Sequence, residues 1–357
     1  MELRYAVKTF PSSKKKDFSS FILGGDIGGT NTTLCVAGIH HKTPYVLFSL
    51  LFKSQQLPSL VPAVKETITY AKKHYNITIR TAGIGAAGVV SPSADGVRLT
   101  NVPWNIRSSD LIKKTGLSSV YLINDFQAVG YGINLLNPHN KKDLLCVKKG
   151  KKTKQTYPIK AVLGAGTGLG KSILVYDTTF QAYHPLPSEG GHGDLPLYSE
   201  DEMRLAEFIK KQRRNPQPVR YEDVLSGYGI ETMYHYLKSK QSTTKLKSRI
   251  TVPAAVISQY RKKDAIAKET FQYFTRFYGR CAKNFVLDTL ATGGLYIAGG
   301  IAAKNIDLFK TRTFLDEFTH AYHREDVLHH VPIYVVVNYD VSLYGACFAA
   351  VHQLQQP

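Results

Sequence analysis

The sequence predicts an α/β protein built of two α/β halves, the second enlarged by helices. Three observations carry that prediction. Short apolar strands alternate with amphipathic helical stretches along most of the chain. An apolar run, a glycine turn and a second apolar run stand at 21–39 (FILGGDIGGTNTTLCVAGI) and again at 159–176 (IKAVLGAGTGLGKSILVY), which reads as an internal duplication. From residue 200 to 288 the pattern is mainly helical.

The first hairpin organises the rest. Residues 21–23 are apolar, 24–29 supply the turn, and 30–39 are rich in β-branched and small residues, so the glycines lie between two strands. A dinucleotide fold would need a helix there, and a strict G-x-G-x-x-G does not fit. Glycine suits a turn in which backbone N–H groups approach an anion. Asp26 beside such a site would repel bare phosphate; its sensible task is to hold Mg²⁺ through water while Thr30 and Asn31 donate to phosphate oxygens. An ordinary glycine-rich turn with Asp26 as a turn residue is the other reading of this stretch alone.

The remaining elements follow in order. Residues 1–19 read as a polar, loosely attached extension. Residues 46–52 are a strand, and 59–75 a helix with Leu60, Val64, Ile68 and Ala71 on one face. Strands at 78–88 and 120–123 flank a loop, LTNVPW at 99–104, that carries the one tryptophan. The ends of these strands would bring polar loops to the carboxyl edge of a parallel sheet, where open α/β sheets bind ligands. In the second hairpin GKS invites a Walker A reading, but the required first glycine is Ala165 and strand follows Ser172, so that motif is rejected. Helices are expected at 202–211, 223–237 and 265–290, the last placing Phe274, Tyr278, Cys281 and Phe285 on one face. A strand at 295–300, a helix from about Asn305, a strand at 331–338 and a helix at 342–353 close the chain.

With 357 residues, 43% of them hydrophobic, the chain can bury a large core and is expected to form two domains. It has no apolar run of the ~18 residues a membrane helix needs, and its N-terminus lacks the apolar centre of a signal peptide, so a cytoplasmic protein with no membrane contact is expected. Cys35, Cys146, Cys281 and Cys347 form no C-x-x-C, which predicts reduced thiols and no zinc. The formal charge of +19 raises nucleic acid as a partner. The lysines are nevertheless scattered doublets plus one loop at 148–154, without aromatic interleaving or a DNA-binding motif, so a solvated basic surface and no specific nucleic acid are expected, with 148–154 on a surface turn.

Taken together, DIGGTN at 26–31, LTNVPW, INDF at 123–126, GTGLG at 166–170, EGGH at 189–192, EDVLSG at 222–227 and AGG at 298–300 resemble the bacterial-type glucokinases. The match runs in consistent order over residues 20–355. It implies a two-domain actin-like ATPase (ribonuclease H-like) fold with an interdomain cleft: a small domain of 20–135 completed by 336–357, and a large domain of 136–335 with a helical insertion. It also implies ATP-dependent phosphorylation of glucose on its 6-hydroxyl, at the head of glycolysis, and a homodimer.

By that resemblance Asp125 is the catalytic aspartate, and its place directly after an apolar strand agrees; capping the next helix is the plainer fate for such a residue. Asn101, Asn124, Glu189, His192 and Glu222 are implied as sugar contacts together with Asp125. Asp26, Gly28, Gly29, Thr30, Asn31, Gly166, Thr167, Gly168, Gly299 and Gly300 are implied for ATP and Mg²⁺, with Thr167 at the transferred phosphate and Gly299–Gly300 beside adenine. Tyr228 where the family has proline, Ser188 where glycine is common, and the lysine-rich loop are departures. A kinase for another hexose, a polyphosphate donor, or a sugar-sensing regulator without catalysis are the alternatives.

Overall fold

The computed structural model describes residues 3–10, 17–151, 154–241 and 252–354. The chain divides into two compact units: residues 1–137, 176–187 and 340–357, and residues 138–175 and 188–339.

The first unit is organised around β1 (Ala6–Thr9), β2 (Ser20–Ile27), β3 (Asn31–His40), β4 (Thr43–Lys53), β5 (Thr81–Ala86) and β9 (Ser119–Asn124), in the order β1-β4-β3-β2-β5-β9. β2 and β3 are antiparallel, whereas β2, β5 and β9 are parallel neighbours. α1 (Leu60–Tyr75) starts after Ser59 and ends where Asn76 takes a left-handed conformation, φ 55°. It buries Leu60, Val64 and Ala71 as its spacing predicts, while Ile68 of the same predicted face is half-buried. β6 (Gly88–Val90), β7 (Gly96–Leu99) and β8 (Ile106–Arg107) form a small separate sheet, followed by α2 (Ser108–Thr115). α3 (Asp125–Ile133) and α11 (Val341–Gln353) pack on the main sheet.

The second unit holds β10 (Leu144–Lys148), β11 (Lys160–Ala165) and β12 (Leu169–Asp177) up to residue 175, whereas the end of β12 and β13 (Ala182–Ser188) up to residue 187 belong to the first; α4 (Glu200–Arg213), α5 (Gly227–Gln241), α6 (Ala254–Tyr260) and α7 (Ala265–Thr289) follow in the second unit. β14 (Leu295–Ala298), α8 (Gly300–Lys304), α9 (Arg312–Thr319), α10 (Glu325–His330) and β15 (Ile333–Val336) complete it. Its sheet order is β10-β15-β14-β11-β12-β13. The antiparallel hairpin β11–β12 runs beside parallel β14, as β2–β3 runs beside parallel β5, so the duplication seen in the glycine turns extends to strand pairing. α7, capped by Asp264 accepting from the Ala267 amide at 2.6 Å, buries Phe274, Tyr278, Cys281 and Phe285. The buried Arg280 of the same helix binds Glu202 at 2.9 Å and Glu317 at 3.1 Å.

Several expectations need correction. The N-terminal residues are not all loosely attached: β1 pairs with β4, and Tyr5 donates to Glu66 at 2.9 Å. Residues 1–2 and 11–16 of that stretch lie outside the described residues. Gly24 and Gly25 belong to β2 rather than to the turn, since both pair with β3 and β5; they are glycine because a Cβ on Gly24 would lie 2.3 Å from Cys347 Sγ and one on Gly25 2.7 Å from Ile84. The helix after β14 begins at Gly300, not Asn305. Lys148 is no surface-turn lysine: its half-buried Nζ donates to the carbonyls of Leu328, His329 and Val331 at 3.0, 2.8 and 2.9 Å. A cation there satisfies carbonyls at the end of α10, adding to the Val331 amide that also donates to Leu328 O at 3.3 Å. Lys149, Lys151 and Lys154 are exposed as expected, and Lys152 lies outside the described residues.

Candidate active site

In the first unit, register places Ile27, Ala86 and Asn124 at one level across β2, β5 and β9. The β2–β3 turn and the start of α3 therefore leave the same carboxyl edge of the sheet, two strand spacings or about 10 Å apart. The turn is Gly28–Gly29–Thr30, closed by the Gly28 amide donating to Asn31 O at 2.9 Å. Thr30 and Asn31 are exposed. A second row holds the turn: Ser54 Oγ donates to Gly28 O at 2.6 Å, and Gln55 Nε2 donates to Gly29 O at 3.1 Å and to Asn101 O at 2.7 Å. A Cβ on Gly29 would sit 2.4 Å from Asn101 Cβ, so Asn101 is brought directly onto the β2–β3 turn. Lys53 Nζ donates to Asn31 Oδ1 at 2.9 Å, which turns the amide nitrogen of Asn31 outward as a donor and adds a positive charge to the turn.

Asp26 lies at the end of β2, and Ser342, in the first turn of α11, donates to its Oδ2 at 2.6 Å. Burial raises its pKa above the ordinary carboxylate value, the Ser342 bond works the other way, and the Asp340 charge adds to the rise. That chemistry fits a divalent cation. A buried carboxylate with one oxygen committed gains an ionised state from a nearby cation, and among the described residues no group of three or more His, Cys, Asp or Glu side chains forms an all-protein cage. Mg²⁺ retained through water and phosphate oxygens needs only one such carboxylate.

Asn124, not Asp125, caps α3. Its side-chain oxygen accepts from the Phe126 amide at 2.8 Å, while Gln127 Oε1 accepts from the Asn124 amide at 3.2 Å. The cap leaves the Asn124 amide nitrogen as its remaining polar group. Asp125, the first helical residue, is half-buried, with Oδ1 accepting from its neighbour Phe126 at 3.0 Å.

In the second unit the β11–β12 turn is Gly166–Thr167–Gly168, closed by the Gly166 amide donating to Gly168 O at 2.8 Å. Thr167 is exposed. A Cβ at Gly166 or Gly300 would meet nothing within 4 Å, so both backbones face open space. Gly299 has φ +92°, and a Cβ there would lie 2.6 Å from Ala165 O. Two separate constraints thus make it glycine, and they set the start of α8 against the hairpin. Lys171 and Ser172 continue into β12 as buried strand residues, in keeping with the rejected Walker A reading.

Glu222 binds the same turn, with Oε2 accepting from the Leu169 amide at 2.9 Å. A Cβ on Gly168 would come within 2.5 Å of that oxygen. His192 stands between the acids, its Nδ1 3.8 Å from Glu222 Oε1 and its Nε2 3.6 Å from Glu189 Oε2. In the GG pair, a Cβ on Gly191 would strike Leu169 O at 2.0 Å, and Ser188 Oγ accepts from the Gly190 amide at 3.1 Å. Glu189 is mostly exposed and Glu222 mostly covered, at 79% and 26% of the side chain. One acid is therefore fixed by the fold while the other projects.

Sequence reasoning missed Ser54, Gln55 and Ser342, which carry no motif, and Arg220. Arg220 Nη1 lies 3.0 Å from His192 Nδ1, and the same guanidinium grips Asp223, with Nη2 donating to Oδ1 at 2.8 Å. Burial works against ionisation of Asp223, but its bonds to Arg220 and the Arg213 charge hold its pKa below the ordinary value. The i, i+3 spacing of Arg220 and Asp223 was the available signal.

The duplicated hairpins, each beside a parallel strand, belong to the two-domain actin-like ATPase fold. The described structure aligns with a Balamuthia mandrillaris glucokinase solved with glucose (TM-score 0.78, 22% identity, 95% of each chain). It also aligns with a ROK family glucokinase from Streptomyces griseus solved with glucose and AMPPNP (TM-score 0.61, 17% identity, 93% of this chain and 100% of that one). The family model described as Glucokinase matches residues 23–353. A glucokinase from Nostoc punctiforme is 33% identical over 350 residues, spanning 93% of this chain and 99% of that protein. The chain belongs to the glucokinase family, whose activity is the ATP-dependent phosphorylation of glucose.

Proposed function

We propose that the chain transfers the γ-phosphoryl group of ATP to the 6-hydroxyl of glucose with Asp125 as general base. The observation that carries this is the shared sheet edge: the Asp125 carboxylate leaves β9 at the level where β2 ends in the phosphate hairpin. As the hydroxyl oxygen attacks phosphorus, its proton passes to Asp125, and the bond from the γ-phosphorus to the β,γ-bridging oxygen breaks with ADP as leaving group. Asn101, Asn124, Glu189, His192 and Glu222 orient the sugar. Gly28, Gly29, Thr30 and Asn31 cradle phosphate with Gly166, Thr167 and Gly168, and Gly299–Gly300 lets the backbone lie beside adenine. Asp26, oriented by Ser342, would hold Mg²⁺ through water; the ion, when bound, offsets charge on the phosphate oxygens.

We further place the enzyme in the cytoplasm as a homodimer. Among the described residues no helix is long and apolar enough to cross a membrane, and the compartment and the dimer are what the family resemblance implies.

Asp125→Asn tests the central assignment. The amide keeps hydrogen-bonding capacity but takes no proton, so turnover in a coupled assay should fall by roughly 10²–10⁴-fold while glucose affinity by calorimetry stays within about twofold. Near-normal turnover would remove Asp125 as the base.

A further inference from the structure

We propose that a cavity of about 430 Å³ in the second unit, between the α6–α7 corner and the start of α9, binds the phosphate monoester of a small polyol. None of the residues assigned above to phosphoryl transfer lines it.

The charge of its walls carries the argument. Three cations, Arg261, Lys262 and Lys268, face one carboxylate, Asp307. That carboxylate is already engaged: Arg261 Nη2 lies 2.6 Å and Lys262 Nζ 3.9 Å from its oxygens. Lys268 makes no ion pair among the described residues. Three positive charges against one negative leave a net +2, which is the complement of a phosphate monoester dianion.

The site is also pre-shaped. Arg261 is mostly covered and held on two sides, its Nε donating to Asn305 Oδ1 at 2.8 Å while Nη2 grips Asp307, so little freedom remains to be lost on binding. Phe271 and Leu308 make an apolar floor, and Thr313 and Gln272 offer neutral donors and acceptors of the kind a polyol uses, while the Thr311 hydroxyl is taken up in capping α9. Ser258 and Arg261 both bind Asn305, the residue that ends α8, whose first residue is Gly300. An occupant that pulls on Arg261 therefore acts on the helix that begins at the glycine pair.

The test uses the full-length protein with glycerol 3-phosphate as probe, titrated by calorimetry. The exposed double substitution Lys262→Ala/Lys268→Ala should weaken probe affinity by about tenfold or more, since each lost charge-assisted contact contributes on that scale. Its affinities for ADP and glucose should stay within about twofold of wild type. A charge-matched control, Lys149→Ser/Lys151→Ser, lowers the net positive charge equally but away from the cavity and should bind the probe as wild type does. Equal loss in the control would reduce the effect to bulk charge and overturn the proposal. So would unchanged probe affinity in the double variant, or absence of binding to wild type at millimolar probe. Parallel weakening of ADP would show that the probe occupies the nucleotide residues, which also overturns it.

Discussion

The carboxylate of Glu222 accepts the Leu169 amide through one oxygen and turns the other toward His192. That division lets two substitutions separate its tasks. In Glu222→Gln the side-chain carbonyl still accepts from Leu169, but the oxygen turned toward His192, proposed above to meet the sugar, becomes an amide nitrogen. The loss of a charge-assisted bond of roughly 1.5–3 kcal/mol should raise the apparent KM for glucose about tenfold to a hundredfold and leave the KM for ATP nearly unchanged. Glu222→Ala removes the support of the glycine turn as well, so both constants should rise. An ATP defect in the Gln variant without a glucose defect would refute the sugar assignment. At this scale the motif residues were legible because their glycines are forced by close contacts, as at Gly29 on Asn101, Gly168 on Glu222 and Gly299 on Ala165. Their supports were not, since Ser54, Gln55 and Ser342 act through one or two hydrogen bonds each across long sequence separations and leave no spacing to read.

Helix α3 carries Asp125 at its first position, and its placement depends on how closely α11 can approach it. A Cβ on Gly345 would fall 1.7 Å from Ala128 O, and one on Gly132 2.1 Å from Val341 O, so the two helices cross backbone to backbone. Gly345→Ala therefore sets two effects against each other. Helix propensity favours alanine by about 1 kcal/mol, whereas a Cβ driven into a carbonyl forces a backbone shift that costs about 1–3 kcal/mol or more. The clash should win. Denaturant midpoint should fall, and turnover should fall with it, because the shift moves α3 and its aspartate; a more stable variant of unchanged turnover would show the crossing to be slack. Elements with strong periodicity, such as α1, α7 and both hairpins, were readable from sequence. β1 and the β6–β8 sheet were not: strands of two to four residues hold too little pattern, and only pairing with a distant partner makes them strands.

At the scale of the whole chain, the dominance of lysine and arginine says little about the fold, because the groups that couple folding to pH near neutrality are buried histidines. In the first unit Tyr131 of α3, His184 of β13 and His352 of α11 meet in one cluster. Tyr131 Oη lies 3.0 Å from His184 Nδ1, the two imidazoles are 5.4 Å apart, and Phe180 covers His352 at 4.3 Å. Both nitrogens of His352 are buried without a hydrogen-bond partner. Burial lowers the pKa of each histidine; the neighbouring His184 lowers His352 further, and Asp177 opposes the shift in both. A base whose folded pKa lies below its unfolded value binds more protons when unfolded. The chain should therefore keep full stability above the ordinary histidine value of 6.5 and lose it as pH falls through that value toward the lower folded pKa. The carboxylates held low by Arg280 and Arg220, Glu202 and Asp223, start from ordinary values of 4.5 and 3.8, so they remain ionised in that window and do not contribute. Urea midpoints measured at about pH 7.5 and about pH 5.5 should differ in the wild type. In His352→Leu, which removes the two unsatisfied nitrogens and one titrating group, the difference should shrink while the midpoint at the higher pH holds or rises. An equal pH difference in both proteins would show that the cluster does not govern stability in this range.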